Sequence, residues 1–228
     1  MSAPSAGDTR VIDAVCGRRS IRSFLPIEVP VSTIKAILDG AARAPSGTNI
    51  QPWLVHAVTG EARKRLTDAA KTADQAGRVE LEYAYLPENM KEPYLSRRRA
   101  VGYALYEKYG IDRSDYPARK AAMLRNYEFF GAPVGLFFTM EREMAQGAWL
   151  DSGMFIENVM ILARAYGLET CPQQAWCDIG PTVHEVLKIP SDHIILTGMA
   201  LGYADWSANE NTLVSDRVPV DDFTTWHS

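Results

Sequence analysis

Three arginines and two serines are concentrated in the segment RRSIRSF, residues 18–24, of an otherwise acidic chain. A phosphate group best matches the start of this segment, because guanidinium groups donate bidentate, charge-assisted hydrogen bonds and a serine hydroxyl adds a further donor. The candidate phosphate ligands are Arg18, Arg19 and Ser20. Taken alone, such a cluster is more often a solvated basic turn, so a binding site needs a second feature.

A loop of small polar residues, PSGTNIQPW at positions 45–53, provides that second feature. Asn49 and Gln51 carry side-chain amides, and an amide offers both hydrogen-bond donors and an acceptor. This combination suits the edge of a polar heterocycle, such as a flavin imide or a nucleobase. An ordinary turn between a helix and a strand is the alternative interpretation.

Length and composition exclude several other classes of protein. With 228 residues, 46% of them hydrophobic, the chain can bury a core and is predicted to form a single domain, residues 1–228. The net charge of −4 argues against nucleic acid as a partner, and charged residues interrupt every apolar stretch before it could span a membrane. The N-terminus lacks the pattern of a secretory signal, so we expect a cytoplasmic location. Three scattered cysteines and four histidines show neither a disulfide framework nor metal-ligand spacing, and no metal site is expected.

Hydrophobic periodicity indicates which elements position the two loops. Helices are predicted on both sides of RRSIRSF and over residues 149–166, and strands over residues 53–59, 134–140 and 194–203. Residues 169–178 are predicted to be a loop. Because helices and strands do not alternate strictly, the pattern favours an α+β fold with helices packed around one sheet.

Two further segments have unusual compositions. Residues 86–117 are rich in charge and tyrosine, with prolines at 87, 93 and 117, and are predicted to form an insertion or lid. The tail, residues 204–228, is polar but contains Phe223 and Trp226 near its end, which a free tail would not need.

The order of these motifs resembles the FMN-dependent nitroreductase family. The resemblance extends over most of the chain, through RRSIRSF, AARAPSGTNIQPW (41–53), APVGLFF (132–138), WLDSGMFIENVMILARAYG (149–167), CPQQ (171–174) and ILTGMALGYA (195–204). It implies a nitroreductase-like fold with a central mixed sheet surrounded by helices. It also implies a domain-wrapped homodimer with FMN at the interface and the tail wrapped over the partner.

The resemblance also implies a set of cofactor-binding residues. Arg18, Arg19 and Ser20 would bind the FMN phosphate, and Arg22 would reach the pyrimidine edge of the ring. The second loop would line or support the flavin with Pro45, Ser46, Asn49 and Gln51. The backbone that passes over the isoalloxazine ring in family members corresponds to Pro172, Gln173 and Gln174. In the tail, Arg217 matches a second phosphate contact.

The reaction implied by the family is a two-electron, ping-pong reduction of a nitroaromatic compound by NADPH or NADH. The flavin supplies the redox chemistry, so no catalytic side chain is expected. The chain lacks a G-x-G-x-x-G fingerprint, which fits a nicotinamide that visits the flavin pocket without a domain of its own.

The nitrobenzoate reductase branch looks most similar in residues 97–111 and 118–135. An aromatic carboxylate needs a cation and a stacking surface, and the candidates are Arg97, Tyr127 and Phe130. The alternative is that Arg97 lies on a solvated helix face and that the two aromatic rings pack in the core or in a dimer interface.

Other functions stay open at this point. The same fold serves reductive dehalogenases and flavin-fragmenting enzymes, and Glu107, Lys108 and Tyr109 lie together without matching the dehalogenase clamp. A non-enzymatic flavin- or nucleotide-binding regulator is the alternative from another class. Turnover of NAD(P)H with a nitroaromatic compound separates these possibilities.

Overall fold

A four-stranded sheet forms the centre of the structure, a computed structural model that describes residues 10–228. The strands are β1 (Leu54–Thr59), β2 (Val134–Glu141), β3 (Glu169–Gln173) and β4 (His193–Gly202), in the order β1-β2-β4-β3. All neighbouring strands pair antiparallel. Among the described residues, the parallel pairing expected of a mixed sheet is limited to two isolated bridges, Ser20 with Thr170 and Glu80 with Ile179.

Helices cover both faces of this sheet. They are α1 (Val11–Gly17), α2 (Val31–Ala41), α3 (Gly60–Gln75), α4 (Tyr94–Lys108), α5 (Tyr116–Leu124), α6 (Gln146–Ala165) and α7 (Gly180–Leu187). Helices α2 and α6 share one hydrophobic cluster with alternate residues of β2 and β4, and α3 and α7 share the other. The central strands β2 and β4 are covered on both faces, so their sequences are nearly continuous apolar runs. This arrangement confirms the predicted α+β fold class.

The predicted loop over residues 169–178 is wrong in its first half. Residues Glu169–Gln173 form β3, which pairs with β4 and is followed by a 3₁₀ turn, Gln174–Asp178. Pro172 weakens the strand signal in the sequence, and the sheet tolerates this proline because β3 is an edge strand.

The two segments of unusual composition, residues 86–117 and the tail, contain some regular secondary structure. Residues 86–117 contain α4, which has no buried side chain, so the segment lies at the surface. The tail contains two short 3₁₀ turns, Asn209–Thr212 and Val220–Asp222. None of the helices within residues 10–228 combines the length and the apolar character that crossing a membrane requires.

Candidate functional site

A cavity of about 520 Å³ lies between the RRSIRSF segment and the tail. Its lining contains the predicted phosphate ligands Arg18, Arg19, Ser20 and Arg217, together with Arg22, which is predicted to reach the pyrimidine edge of the flavin. Among the described residues, no carboxylate oxygen lies within 4.0 Å of the guanidinium groups of Arg19, Arg22 or Arg217. Arg18 has only a long contact, 3.8 Å from its Nε to a carboxylate oxygen of Glu157. The cavity therefore carries positive charge that the described part of the chain does not neutralise.

The edge strand β3 positions this arginine segment. The backbone N–H of Ile21 donates to the carbonyl oxygen of Thr170 at 3.0 Å, so the segment runs beside the strand. At the end of α1, Arg164 donates to the Gly17 carbonyl at 2.7 Å and to Glu169 at 2.9 Å. A Cβ at Gly17 would lie 2.8 Å from the Arg164 guanidinium, so a larger residue there would require that side chain to shift.

A buried carboxylate lies behind the arginines. Burial raises the pKa of Glu169, and the nearby Arg164, Arg19 and Arg18 oppose that rise. The side chain of Glu169 faces Arg164 at 2.9 Å, and its other oxygen has no hydrogen-bond partner among the described residues. Arg164 is thus held from both sides, by the end of α1 and by the start of β3.

Asn211 and Arg125 fix the C-terminal end of the arginine segment. Asn211 is buried, and its side-chain oxygen accepts a hydrogen bond from the backbone N–H of Arg22 at 2.7 Å. Arg125 donates to the Arg22 carbonyl at 2.8 Å and forms an ion pair with Glu210 at 2.8 Å. Neither role could be predicted from the sequence, because a lone asparagine in a polar tail and a lone arginine after a helix match no motif.

The second loop has a strained backbone that the rest of the chain supports. Thr48, Asn49 and Gln51 have φ angles of 49°, 63° and 48°, in the left-handed region that costs a non-glycine residue roughly 1–2 kcal/mol. The hydroxyl of Ser46 accepts a hydrogen bond from the Gln51 backbone N–H at 3.0 Å, and the Gln51 side chain donates to the Asn49 carbonyl at 3.1 Å. Asp151 of α6 accepts from the Gly47 backbone N–H at 3.2 Å.

This loop does not line the arginine cavity of its own chain. Pro45, Asn49 and Gln51 are exposed at the surface, and the lining of the cavity contains none of them. The structure therefore brings together the predicted phosphate ligands but keeps the predicted flavin-lining loop apart from them within one chain.

Pro172 and Gln174 line a different cavity, of about 340 Å³, whose walls include Tyr83, Tyr85 and Trp149. The Gln174 side chain donates to the Tyr83 hydroxyl at 3.0 Å, and that hydroxyl donates to the Leu196 carbonyl at 2.6 Å. Burial raises the pKa of Tyr83 well above its ordinary value, so the hydroxyl keeps its proton near neutral pH. The ring thus presents a fixed aromatic wall.

The side chain of Gln173 points into the core. It is 1% exposed, donates to the Asn126 carbonyl at 2.7 Å and accepts from the Trp176 indole at 3.4 Å. Any contact of Gln173 with a ligand would therefore come from its backbone.

Two of the three predicted acceptor-binding residues lie in the core, which favours the alternative interpretation of their rings as packing residues. Tyr127 and Phe130 are each 5% exposed and belong to the hydrophobic cluster under α3. Tyr127 packs edge-on against Trp176 and donates to the Ala175 carbonyl at 3.2 Å. Left-handed backbone at Phe130, with φ of 52°, helps to turn its ring inward. Arg97 is exposed on α4 beside the tail, and its role stays a prediction.

Glu82 anchors the segment that carries the aromatic wall. Its carboxylate is buried and accepts hydrogen bonds from Arg142 at 2.8 Å, from His184 at 2.6 Å and from the Ile195 backbone N–H at 3.0 Å. Burial raises the pKa of Glu82, but these three donors outweigh it and hold the pKa below its ordinary value. A Cβ at Gly180 would lie 2.7 Å from Glu82, so the turn before α7 also fits this side chain. No sequence motif indicated Glu82.

Among the described residues, neither a metal-binding cluster nor a disulfide accompanies the two cavities. Within residues 10–228, no group of three or more His, Cys, Asp or Glu side chains is arranged to hold a metal ion. Cys16, Cys171 and Cys177 are free thiols, of which Cys171 and Cys177 are buried. Burial raises the pKa of Cys177 to about 12, so this thiol is protonated at neutral pH.

Comparison with known proteins identifies the family. The sequence profile of the Nitroreductase family matches residues 15–203. A chloronitrobenzene nitroreductase of Comamonas testosteroni is 39% identical over 216 residues, which cover 94% of this chain and 95% of the relative. A 4-nitrobenzoate reductase of Nocardioides sp. (strain LMS-CY) is 39% identical over 216 residues, 93% of this chain and 87% of the relative.

A solved structure agrees with these matches. The crystal structure of the FMN- and NADPH-dependent nitroreductase NfnB from Sphigopyxis sp. strain HMH superposes with a TM-score of 0.95 and 38% identity. The superposition covers 96% of this chain and 100% of the other. The resemblance inferred from the motifs and the predicted nitroreductase-like fold are confirmed. This chain belongs to the nitroreductase family.

Proposed function

We propose that this protein is an FMN-dependent NAD(P)H oxidoreductase that reduces nitroaromatic compounds. The observation that carries the proposal is the arginine cavity, in which three guanidinium groups lack a carboxylate partner among the described residues. The relatives named for chloronitrobenzene and 4-nitrobenzoate reduction, and the FMN and NADPH dependence of NfnB, support the reaction.

The donors in the cavity fit the phosphate end of FMN. A phosphate dianion accepts charge-assisted hydrogen bonds, and Arg18, Arg19, Ser20 and Arg217 supply guanidinium and hydroxyl donors from both ends of the chain. Arg22 lines the same cavity, and its guanidinium donates to the Ser20 carbonyl at 3.0 Å. This bond restrains Arg22 at the side of the cavity next to the phosphate ligands, which suits a contact with the flavin ring.

FMN, when bound, supplies two-electron transfer between the nicotinamide and the nitro group. The chain itself then has to bind FMN, orient the substrates against it and shield them from water. The arginines neutralise the phosphate and place positive charge near the ring, where a reduced flavin carries negative charge. Pro172, Gln174 and the aromatic wall of Tyr83 border the second cavity, which suits a flat aromatic ligand.

A second copy of the chain would complete the site. The PSGTN loop lies outside the arginine cavity of its own chain. Large apolar side chains are also exposed on α1, on α6 and in the tail. Val11 on α1 is 76% exposed, Leu150 on α6 73%, and Trp226 in the tail 78%. Burying such side chains favours association, so we infer a homodimer in which the partner supplies the loop and the tail, residues 204–228, wraps over the partner.

The lid, the acceptor and the location were first predicted from the sequence. Residues 86–117 are proposed to act as a lid, since α4 lies exposed beside the cavity and Val101 contributes to its lining. A nitrobenzoate is one candidate acceptor, with Arg97 as its cation. The cytoplasmic location stays a prediction.

The test is an anaerobic visible absorption spectrum of the purified protein, recorded before and after NADPH or NADH and then after nitrobenzene or 4-nitrobenzoate. We expect flavin bands that bleach with the nicotinamide and return with the nitro compound. Bands that bleach and return only with another class of acceptor would keep the flavin enzyme and refute nitro reduction. A colourless protein that takes up no added FMN would refute the whole proposal.

Variants connect this result to the cavity. The double substitution Arg18→Ala with Arg19→Ala should strip FMN from the protein. The matched control is Lys64→Ala with Arg65→Ala, which removes two adjacent cations from the exposed surface of α3 and should leave flavin content unchanged. Full flavin occupancy in the Arg18/Arg19 variant would contradict the assignment of the cavity. Analytical ultracentrifugation tests the dimer, since a fully FMN-loaded monomer would exclude a shared site.

A further inference from the structure

Asn211 lies behind the arginine cavity and has every polar atom of its side chain bonded. Only 1% of the residue is exposed. Its side-chain oxygen accepts from the Arg22 backbone N–H at 2.7 Å, and its side-chain nitrogen donates to the carbonyls of Ser23 and Asp205, each at 2.8 Å. An amide nitrogen has two hydrogens to donate, so both are used.

The backbone of Asn211 holds a second arginine. Its carbonyl oxygen accepts a hydrogen bond from the Arg19 guanidinium at 3.4 Å. One buried residue of the tail therefore contacts the arginine segment at Arg19, Arg22 and Ser23. Asn211 is not among the residues that line the cavity, so it would act on a ligand only through these arginines.

The need for such a residue follows from the charges. The guanidinium groups of Arg18, Arg19 and Arg22 lie around one cavity and repel each other when no anion is present. A segment that could relax would separate them and would have to be reordered on binding. Holding the segment in its bound conformation beforehand removes that cost.

We propose that Asn211 is a positioning residue that makes the site selective for the phosphorylated flavin, by fixing the arginine segment before the ligand binds. This inference rests on the proposed FMN-dependent function. Riboflavin has the same ring system and no phosphate, so it reports on the ring contacts alone. Loss of Asn211 should therefore weaken FMN binding much more than riboflavin binding.

The experiment compares dissociation constants of FMN and riboflavin for apoprotein of the wild type and of Asn211→Ala. The variant should bind FMN about tenfold more weakly, the effect of losing one to two net hydrogen bonds, and riboflavin at most about threefold more weakly. Asn211→Ser keeps a hydroxyl near Arg22 and serves as a milder second variant. It is judged in the same way, by comparing its loss of FMN affinity with its loss of riboflavin affinity. Asn209→Ala is the control, because Asn209 is exposed in the same turn and its side chain bonds only the Lys108 carbonyl, at 2.7 Å.

A double-mutant cycle measures the coupling between two substitutions in FMN affinity, and a residue with only a structural role would show no such coupling. Asn211→Ala keeps the backbone carbonyl that Arg19 contacts and removes only the side-chain bonds to Arg22, Ser23 and Asp205. If that side chain acts by holding the arginine segment in place, then Arg19→Ala should reduce FMN affinity less in the Asn211→Ala background than in the wild type. Additive losses, or equal weakening of FMN and riboflavin, would overturn the inference while leaving the FMN proposal intact. A wild type that binds FMN no better than riboflavin would overturn the phosphate site and this inference together.

Discussion

Replacing Glu82 with glutamine should destabilise the protein measurably, because this carboxylate ties together three distant parts of the chain. Its side chain is 5% exposed and accepts hydrogen bonds from Arg142, His184 and the Ile195 backbone N–H. In Glu82→Gln, the amide oxygen can keep the bonds at the Oε1 position. The amide nitrogen takes the Oε2 position and faces the Arg142 guanidinium, which donates there at 2.8 Å in the wild type.

The magnitude follows from that lost contact. A hydrogen bond between charged groups contributes about 1.5–3 kcal/mol, and the 39% exposure of the Arg142 side chain places this one toward the lower end. The opposed donors in the variant add an unsatisfied buried group. We expect the free energy of unfolding to fall by about 2 kcal/mol, which lowers the Tm of a domain of this size by roughly 4–8 °C.

The pH dependence separates this mechanism from a packing defect. The pKa of Glu82 is lower in the folded protein than its ordinary value of 4.5. Its stabilising contribution is therefore present above the ordinary pKa and is lost as the pH falls through the folded pKa. The difference between wild type and Glu82→Gln should be largest near neutral pH and should shrink below about pH 4.5.

Urea unfolding of the apoproteins at neutral and acid pH measures both quantities. Glu80→Gln is the matched control, because Glu80 lies in the same segment and is exposed, and it should change the unfolding free energy by less than about 0.5 kcal/mol. A loss in Glu82→Gln that is the same at both pH values, or no larger than that of the control, would refute the role assigned to the carboxylate.

Two further predictions concern the core beneath the site. In Gly198→Ala the new Cβ would lie 2.4 Å from the Trp176 ring, which is fully buried, so we expect a loss of about 2 kcal/mol in urea unfolding. Gly147→Ala in α6 meets open space and should instead stabilise the protein by up to about 1 kcal/mol; equal effects would contradict the packing argument. Tyr127→Phe removes one hydrogen bond and should cost about 1 kcal/mol of stability while leaving the KM for a nitroaromatic acceptor unchanged. A several-fold higher KM would restore Tyr127 as an acceptor contact.

Features that depend on local sequence were predicted well. The apolar runs of β2 and β4 were recognised because both faces of these strands are covered. The arginine segment could be singled out as a candidate phosphate site because guanidinium groups and a hydroxyl match a phosphate, and the structure places its arginines around one cavity. The edge strand β3 was missed, since five residues with a proline carry little strand signal and the pairing partner β4 lies far along the chain.

Features that depend on long-range packing were not predictable from residue type. Tyr127 and Phe130 have aromatic rings that could stack on an acceptor, but such rings also fill hydrophobic cores. Which of these occurs depends on whether other helices and strands pack over the rings.

Asn211 and Glu82 show the opposite case, because their residue types suggest no role and yet their bonds support the site. Each is a single polar residue without a motif, and at least two of its partners lie more than a hundred residues away. In a buried position such a side chain is costly unless all its hydrogen bonds are made, so its complete bonding is itself informative. A residue that binds a ligand can be recognised from its chemistry, whereas a residue that holds the binder in place can be recognised only from its burial and its bonds. The two halves of this site, the arginines and the residues behind them, therefore had to be found by different arguments.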